Sequence, residues 1–227
     1  MKSVARMPLT EEAITGSETI AEYDRYASVY MQPEYWYFVK KILRKGFKSG
    51  WALDIGTGSG RLAVELAKNM KSDCTIIGLD LSSDMLKKSC ARAAQAGLAD
   101  RLSLLQSSAA ELPFADGSFD LVISYASLHH WRQPEAVFNE IFRVLKPGGK
   151  IIIRDNRRVT GQPFWELFLW KIGLLMSRKR YLNWRKVILA SYTLSEVEAI
   201  LKKSNLKNYL LGTDFVKFDL CIEAVKK

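Results

Sequence analysis

The amino-acid sequence predicts an α/β fold, with a seven-stranded, mostly parallel sheet, helices on both faces and a helical insertion after the fifth strand. Short apolar runs alternate with segments whose apolar residues recur every three or four positions, as in successive strand–helix units. A turn with three glycines, residues 56–60, follows the first of these runs. The chain is 48% hydrophobic over 227 residues, which suits one α/β domain with a full core and an appended piece.

The first two strand–helix units are predicted on either side of the glycine turn. Residues 51–55 form the first strand, and apolar positions between 62 and 70 follow at helical spacing. The next run, residues 75–79, ends at Asp80. The helix after it stops near Gly97 and has one apolar face, formed by Met85, Leu86, Cys90 and Ala93. Two parallel strands with a covering helix each are therefore expected here.

Three more strands are predicted at residues 102–105, 121–125 and 151–153. A helix at 136–145 precedes the last of them and is ended by Lys146-Pro147-Gly148-Gly149. Beyond Asp155 the pattern changes to an aromatic stretch, residues 164–176, which predicts a helical insertion. A capping box, Thr193-Leu194-Ser195-Glu196, then opens a helix, and residues 209–211 and 219–225 are the two closing strands.

The glycine turn indicates a site for a nucleotide-type cofactor. In Asp54-Ile55-Gly56-Thr57-Gly58-Ser59-Gly60, the alternate glycines allow positive φ and let the backbone approach a ligand closely. A loop for the pyrophosphate of a dinucleotide requires Gly-x-Gly-x-x-Gly. Here Arg61 stands where the last of those glycines belongs, so the spacing indicates another cofactor class.

The pattern Asp-x-Gly-x-Gly-x-Gly resembles motif I of the class I S-adenosylmethionine (SAM) methyltransferases, which share a Rossmann-like fold. Two further segments, Glu111-Leu112-Pro113-Phe114 with residues 116–120 and the run at 145–149, resemble the ubiquinone/menaquinone-type, or type 11-like, branch. The resemblance covers about residues 23–153, with weaker agreement at 192–225. It implies SAM as the cofactor and S-adenosylhomocysteine as the product.

The acid at the end of the second strand, Asp80, is placed to accept hydrogen bonds from both ribose hydroxyls of such a cofactor. The resemblance implies that Leu81 and Met85 sandwich the adenine. Ser108 and Ala109 stand where many relatives have an aspartate and an alanine, so a charged acceptor for the adenine amino group is lost. The predicted cofactor-binding residues are Tyr26, Asp54, Gly56, Thr57, Gly58, Gly60, Asp80, Leu81, Met85, Ser108, Ala109 and Ser124.

Tyr26 belongs to an N-terminal stretch, residues 23–30, that resembles the helix covering the SAM site in this branch. Contact with the cofactor's carboxylate and packing within this cover are both open for its tyrosines. After the fourth strand, His129 and His130 lie at the carboxyl edge of the sheet, and either is a candidate general base. The alternative is that they position the loop, because many methyltransferases act by orienting an activated methyl group without a base.

The predicted organisation is an N-terminal helical cap (1–50), a SAM-binding Rossmann-like core (51–156), an aromatic and basic helical insertion acting as a lid (157–190), and a closing helix and strands of the same domain (191–227). The expected activity is methyl transfer from SAM to a small-molecule acceptor. Alternatives are RNA methylation or membrane-associated methylation of a quinone or lipid, both using the basic C-terminal segment, or SAM binding without catalysis. Against nucleic acid, the Asn/Asp-Pro-Pro-Tyr/Phe turn and the Pro-Cys nucleophile of base methyltransferases are absent.

The charge and the cysteine content indicate which partners and which cellular compartment to expect. The net charge is +10, yet residues 51–156 are neutral, and residues 157–227 carry a surplus of eight positive charges. That surplus suits an anionic partner or a solvated face, so peripheral membrane contact stays open. Cys74, Cys90 and Cys221 lack the spacing of a metal site and are expected to be reduced, buried thiols. Without a secretory signal or a membrane-spanning run, a cytoplasmic protein without metal is expected.

Overall fold

The computed structural model describes residues 4–9, 14, 16–71, 73–159, 167, 170–171, 174, 177–214 and 219–227. The strands are β1 (Gly50–Ile55), β2 (Cys74–Asp80), β3 (Leu102–Gln106), β4 (Phe119–Tyr125), β5 (Leu145–Asn156), β6 (Tyr209–Asp214) and β7 (Asp219–Val225). The α-helices are α1 (Ser17–Tyr26), α2 (Gln32–Arg44), α3 (Arg61–Asn69), α4 (Ser83–Gln95), α5 (Pro134–Val144), α6 (Arg178–Ala190) and α7 (Leu194–Lys203). A π-helical turn, Ala27–Met31, joins α1 to α2, and 3₁₀ turns occupy Ala99–Arg101 and Leu128–His130.

The strands form one seven-stranded sheet in the order β3-β2-β1-β4-β5-β7-β6. Strands β1 to β5 are parallel, and β7 is antiparallel to both of its neighbours. The predicted Rossmann-like fold, mostly parallel and seven-stranded, is confirmed. The chain runs outward from β1 to β3 and then returns to β4 on the other side of β1. In open α/β sheets a crevice at the strand ends marks this reversal and binds ligands.

Both faces of the sheet are covered, which explains why its central strands are continuous apolar runs. Along β4, Val122 faces the layer that contains α5 and α7, where Phe138 and Leu201 are buried. Its neighbours Leu121 and Ile123 face the opposite layer, formed largely by α2 and α3. Burial on both faces fixes the register of β4 and hence the position of the loop that follows it.

Strand β5 is longer than the predicted strand at 151–153. Lys146-Pro147-Gly148-Gly149 ends α5 as predicted, but the chain enters the sheet at once, with Leu145 paired to Phe119. The register then shifts, so that Lys150 pairs with Leu121. Gly148 has φ +79° and donates its N–H to the carbonyl oxygen of Lys226 at 2.7 Å. Lys226 therefore pairs with the bulge in β5, and a local sequence pattern does not reveal such a long-range contact.

Of the three predicted buried cysteines, only Cys74 is buried, and burial raises its pKa to about 11. Cys90 is exposed and Cys221 is half-buried, so the prediction was wrong for these two. On α4 the buried positions are Met85, Ser89 and Ala93, which turns Cys90 outwards. No disulfide joins the three cysteines, all of which lie within the described residues.

The predicted insertion at 164–176 lies mostly outside the described residues. Helix α6, which follows it, carries the basic residues from Arg178 onward. The predicted capping box of α7 is confirmed, because Glu196 N–H donates to Thr193 Oγ1 and Thr193 N–H donates to a carboxylate oxygen of Glu196. Within the described ranges, every helix is too short or too polar to cross a membrane.

Candidate cofactor site

The glycine turn connects β1 to α3 at the carboxyl edge of the sheet and is hydrogen-bonded to β2. The N–H groups of Gly56 and Thr57 donate to the carbonyl oxygen of Leu79 at 2.8 and 3.0 Å, which ties the turn to β2. Gly58 has φ +54°, and a Cβ atom added to it would meet nothing within 4 Å. A Cβ atom on Gly56 would instead overlap the Ser127 hydroxyl. Gly56 is therefore needed for packing, whereas Gly58 exposes its backbone to open space.

That open space is a cavity of about 210 Å³ at the ends of β1, β2 and β4. The strand order reverses between β1 and β4, and the cavity lies at this point of the sheet edge, where open α/β folds bind ligands. Seven of the predicted cofactor residues line it, namely Gly56, Gly58, Asp80, Leu81, Met85, Ser108 and Ala109.

Asp80 is held by backbone groups on both of its oxygens. Oδ2 accepts the N–H of Gly58 at 2.8 Å, and Oδ1 accepts the N–H of Ser82 at 2.9 Å. Burial raises the pKa of this carboxyl, and the two backbone hydrogen bonds oppose the rise. Each oxygen of a carboxylate has a second lone pair, so Asp80 can accept two more hydrogen bonds from a ligand.

Another part of the cavity is built by the start of α4 and the turn after β3. Leu81 is 39% exposed, while Met85, which also lines the cavity, is buried. The Ser108 hydroxyl accepts the N–H of Ala110 at 3.2 Å, so this side chain closes its own turn. Ile14, from the N-terminal segment, also lines this cavity.

Asp54 and Thr57 lie beside a smaller cavity, which they share with Tyr23 and Tyr35. Thr57 Oγ1 donates to Asp54 Oδ2 at 2.8 Å. Complete burial raises the pKa of Asp54 to about 7, the hydrogen bond from Thr57 opposes this rise, and the nearby Asp80 carboxylate adds to it. Asp54 is thus a buried acid that titrates near neutrality.

Three of the predicted cofactor residues do not line either cavity. Tyr26 packs on Tyr30, with ring centroids 5.2 Å apart, whereas Tyr23 on the same helix lines both cavities. Ser124 donates its hydroxyl to the carbonyl oxygen of Ile55 at 2.8 Å and joins β4 to β1. A Cβ atom on Gly60 would overlap Ser89, which shows that this glycine lies against α4.

The structure also reveals an anchor for α1 that sequence reasoning missed. Asp24 accepts hydrogen bonds from Ser59 Oγ at 2.8 Å, Arg61 Nε at 2.9 Å and Arg92 Nη2 at 2.7 Å. Burial opposes its ionisation, but the hydrogen bonds from Arg61 and Ser59 and the charge of Arg92 lower its pKa to about 2. The available signal was Arg61 itself, a cation in place of the glycine of a dinucleotide loop.

The two histidines occupy different environments after β4. The chain turns sharply at Ala126, which among the described residues is the non-glycine residue with positive φ, at 54°. His130 is half-buried and lines the larger cavity. His129 is buried, and its Nδ1 lies 2.7 Å from Oδ1 of Asp155. Asp155 was not among the predicted site residues, although it is the last residue but one of β5 and Asp80 is the last residue of β2.

Arg6, in the described N-terminal segment 4–9, lies against this turn. Arg6 donates from Nε to the carbonyl oxygen of Ala190 at 2.6 Å and from Nη2 to that of His129 at 3.1 Å. Its guanidinium lies 4.0 Å from the centre of the Tyr192 ring. The N-terminal segment is thereby connected to the end of α6 and to the histidine turn.

The family model that matches this chain, described as a methyltransferase domain, covers residues 53–153. A demethylmenaquinone methyltransferase of Lactiplantibacillus plantarum is 33% identical over 129 residues, which are 56% of this chain and 54% of that protein. A 27-O-demethylrifamycin SV methyltransferase of Amycolatopsis mediterranei is 31% identical over 155 residues, 68% of this chain and 53% of that one. The chain thus spans about half the length of these curated relatives.

Solved structures agree in fold. A putative SAM-dependent methyltransferase from Methanococcus maripaludis matches with a TM-score of 0.73 and 23% identity, over 97% of this chain and 96% of that one. Phosphoethanolamine N-methyltransferase 2 of Haemonchus contortus, solved with SAM, matches with a TM-score of 0.63 and 26% identity, over 81% of this chain and 40% of that one.

Proposed function

We propose that this chain, whose residues 53–153 are a class I SAM-dependent methyltransferase domain of the ubiquinone/menaquinone type, transfers a methyl group from SAM to a small-molecule acceptor. The product of the cofactor is S-adenosylhomocysteine. The relatives support a small acceptor, since their names specify a demethylmenaquinone and a demethylrifamycin. The cysteines are odd in number and form no disulfide among the described residues, which suits a reducing compartment, and we place the protein in the cytoplasm.

The observation that carries this proposal is the pairing of Gly58 with Asp80 at the floor of the larger cavity. Gly58 leaves room for a ligand against its backbone, and Asp80 is fixed beside it through the 2.8 Å hydrogen bond. Next to them, Leu81 and Met85 supply apolar contacts for a flat ring. A ribose acceptor beside apolar ring contacts fits the adenosine part of the cofactor.

The remaining site residues then have distinct roles. Asp54, Thr57 and Tyr23 surround the smaller cavity, which at about 10 Å³ has room for one water molecule only, so these residues would border the polar methionine end of the cofactor and would not enclose it. Ser108 and Ala109 border the adenine, while Tyr26, Gly60 and Ser124 support the site from behind the lining. When bound, the cofactor supplies a methyl group on a positively charged sulfur, and the protein orients the acceptor towards it.

Isothermal titration calorimetry of the pure protein with SAM, S-adenosylhomocysteine and NAD tests this proposal. Both methylation ligands are expected to bind, and NAD is expected to show no measurable heat, because the glycine spacing ends at Gly60 and is followed by Arg61. Binding of NAD together with no binding of SAM would end the methyltransferase proposal.

A further inference from the structure

One side of α2 and of the π-helical turn before it carries large apolar side chains that face water. They are between 42% and 60% exposed, namely Val29, Tyr30, Trp36 and Tyr37. The other side of α2 already packs against the domain through its buried residues, which are Tyr35, Phe38, Val39 and Ile42. Several large apolar side chains on one exposed side of a helix mark a surface that contacts another molecule or a membrane.

The exposed side of α2 is a stripe that changes from apolar to basic along the helix. The members of this α2 stripe are Pro33, Trp36, Tyr37, Lys40 and Arg44, all of which are exposed. Separations of three or four residues place them on one side of the helix. Tryptophan, tyrosine and lysine or arginine are the side chains that proteins place at the level of lipid headgroups, because each has an apolar body and a polar end.

Within the stripe, Lys40 lies against the indole ring of Trp36, one helical turn away. Its Nζ atom is 3.3 Å from the centre of that ring. The ammonium group is attracted to the face of the ring, so the two side chains form an amphipathic pair. At a membrane surface the ring and the lysine stem can enter the apolar part of the interface, while the charge stays among the headgroups.

The charge around the stripe has one sign. Residues 35–50 contain five basic residues and no acid. Two of the five pair with Glu223 of β7, each at 2.6 Å. Within the part of the chain that the structure describes, neither Lys40 nor Arg44 has a carboxylate at ion-pair distance. The stripe therefore suits an anionic partner, and a second copy of this chain fits badly, because a two-fold contact would bring like charges together.

We propose that the α2 stripe docks on the surface of an anionic lipid bilayer. Trp36 and Tyr37 lie at the level of the headgroups, and Lys40 and Arg44 contact lipid phosphates. The 13 residues of α2 then lie along the surface, and their convex side needs no groove in a partner. The inference does not rest on the proposed function, because no member of the stripe lines either of the two cavities described above.

Co-flotation of the whole chain with lipid vesicles tests this inference. Vesicles of phosphatidylcholine alone are compared with vesicles of equal parts phosphatidylcholine and phosphatidylglycerol. Wild-type protein is expected to bind the anionic vesicles more tightly, and added salt should weaken that binding. The double variant Lys40→Gln/Arg44→Gln should bind them about 25-fold more weakly, since each cation near such a surface contributes about a factor of five. Trp36→Ser should weaken binding about 10-fold, because apolar contact with the interface is lost.

Two controls separate the stripe from general charge and general hydrophobicity. Lys202→Gln/Lys203→Gln removes the same charge from exposed positions of α7, in the layer on the opposite face of the sheet. Leu210→Ser removes an exposed apolar side chain from β6. Both variants should bind like wild type, and circular dichroism checks that every variant is folded.

Three outcomes would overturn the inference. The first is no binding of wild-type protein to the anionic vesicles. The second is an equal loss of binding in the α7 control, which would mean that net charge alone decides. The third is a stable dimer in sedimentation velocity that Trp36→Ser dissociates, because a second copy would then cover the stripe.

Discussion

At the scale of single residues, Asp80 and Asp54 lie close together but face different tasks. Asp80 lines the larger cavity and receives two backbone N–H groups, while Asp54 is enclosed and receives one hydroxyl from Thr57. Asp80, which is better solvated, can accept hydrogen bonds from the neutral hydroxyl groups of a ligand. Asp54 is enclosed, so a nearby ammonium group of a ligand would offset the energetic cost of its buried charge.

Asp80→Ala is expected to weaken binding of S-adenosylhomocysteine by about 1.5–3 kcal/mol, the usual contribution of hydrogen bonds to a charged group. Calorimetry measures this change, and circular dichroism checks that the fold is retained. Asp100→Ala is the control, because Asp100 is exposed and lies in the 3₁₀ turn before β3. Wild-type affinity in Asp80→Ala would show that Asp80 does not hold the ribose.

Asp54 should make stability depend on pH in a defined direction. Its pKa is raised from 3.8 to about 7 in the folded protein, so between these values the folded state binds more protons than the unfolded chain. The free energy of unfolding that Asp54 contributes therefore falls as pH rises from about 4 to about 7, and is level above that. Urea unfolding at several pH values should show a shallower decline for Asp54→Asn. Identical pH profiles for the two proteins would refute the raised pKa.

At the scale of secondary-structure elements, α1 is attached to the glycine turn through charges. Asp24 contacts Arg61 at the start of α3 and both Arg92 and Lys88 on α4. Two residues before Asp24 on the same helix, Glu22 pairs with Lys179 of α6, and both side chains are largely exposed. Only the first of these contacts is sheltered from water, so the two differ in energy.

Asp24→Asn is expected to weaken S-adenosylhomocysteine binding by about 1–3 kcal/mol, because Tyr23 loses its fixed position over the site. It should also speed cleavage of the N-terminal segment in limited proteolysis. Glu22→Gln on the same helix is the matched control and should change neither result, since exposed ion pairs contribute about 0–1 kcal/mol. Equal behaviour of the two variants would show that the Asp24 network does not position α1.

At the scale of the whole molecule, the positive charge lies outside the cofactor-binding part of the chain. Residues 51–156 are neutral, and Lys179, in the basic run that begins α6, pairs with an acid of α1. We propose that the surplus positive charge serves solubility rather than recognition of a polymer.

We therefore expect no sub-micromolar binding of RNA or DNA at physiological salt. Fluorescence anisotropy with a labelled single strand, repeated at several salt concentrations, measures this directly. If the segment binds phosphates, a plot of log affinity against log salt concentration should fall steeply. In the double variant Arg178→Ala/Lys179→Ala, the slope of that plot should become shallower by about 0.7–0.9 for each contact removed. Such a result would favour a nucleic-acid substrate over a small molecule.

The order of strands and helices was predictable because apolar periodicity is local in the sequence, and Asp80 was predictable because it ends such a run. Contacts between distant segments were not. Helical spacing does not tell which of Tyr23 and Tyr26 faces the site, and it assigned Cys90 to the core of α4 where Ser89 is buried. The pairing of Asp155 with His129 depends on how β4 and β5 align, which the sequence pattern leaves open.

A crystal structure with S-adenosylhomocysteine tests the central claim most directly. The account predicts the ribose hydroxyls within hydrogen-bonding distance of Asp80, the adenine against Leu81 and Met85, and the methionine end beside Asp54. A ligand bound elsewhere, or bound here with Asp80 directed away from the ribose, would contradict it.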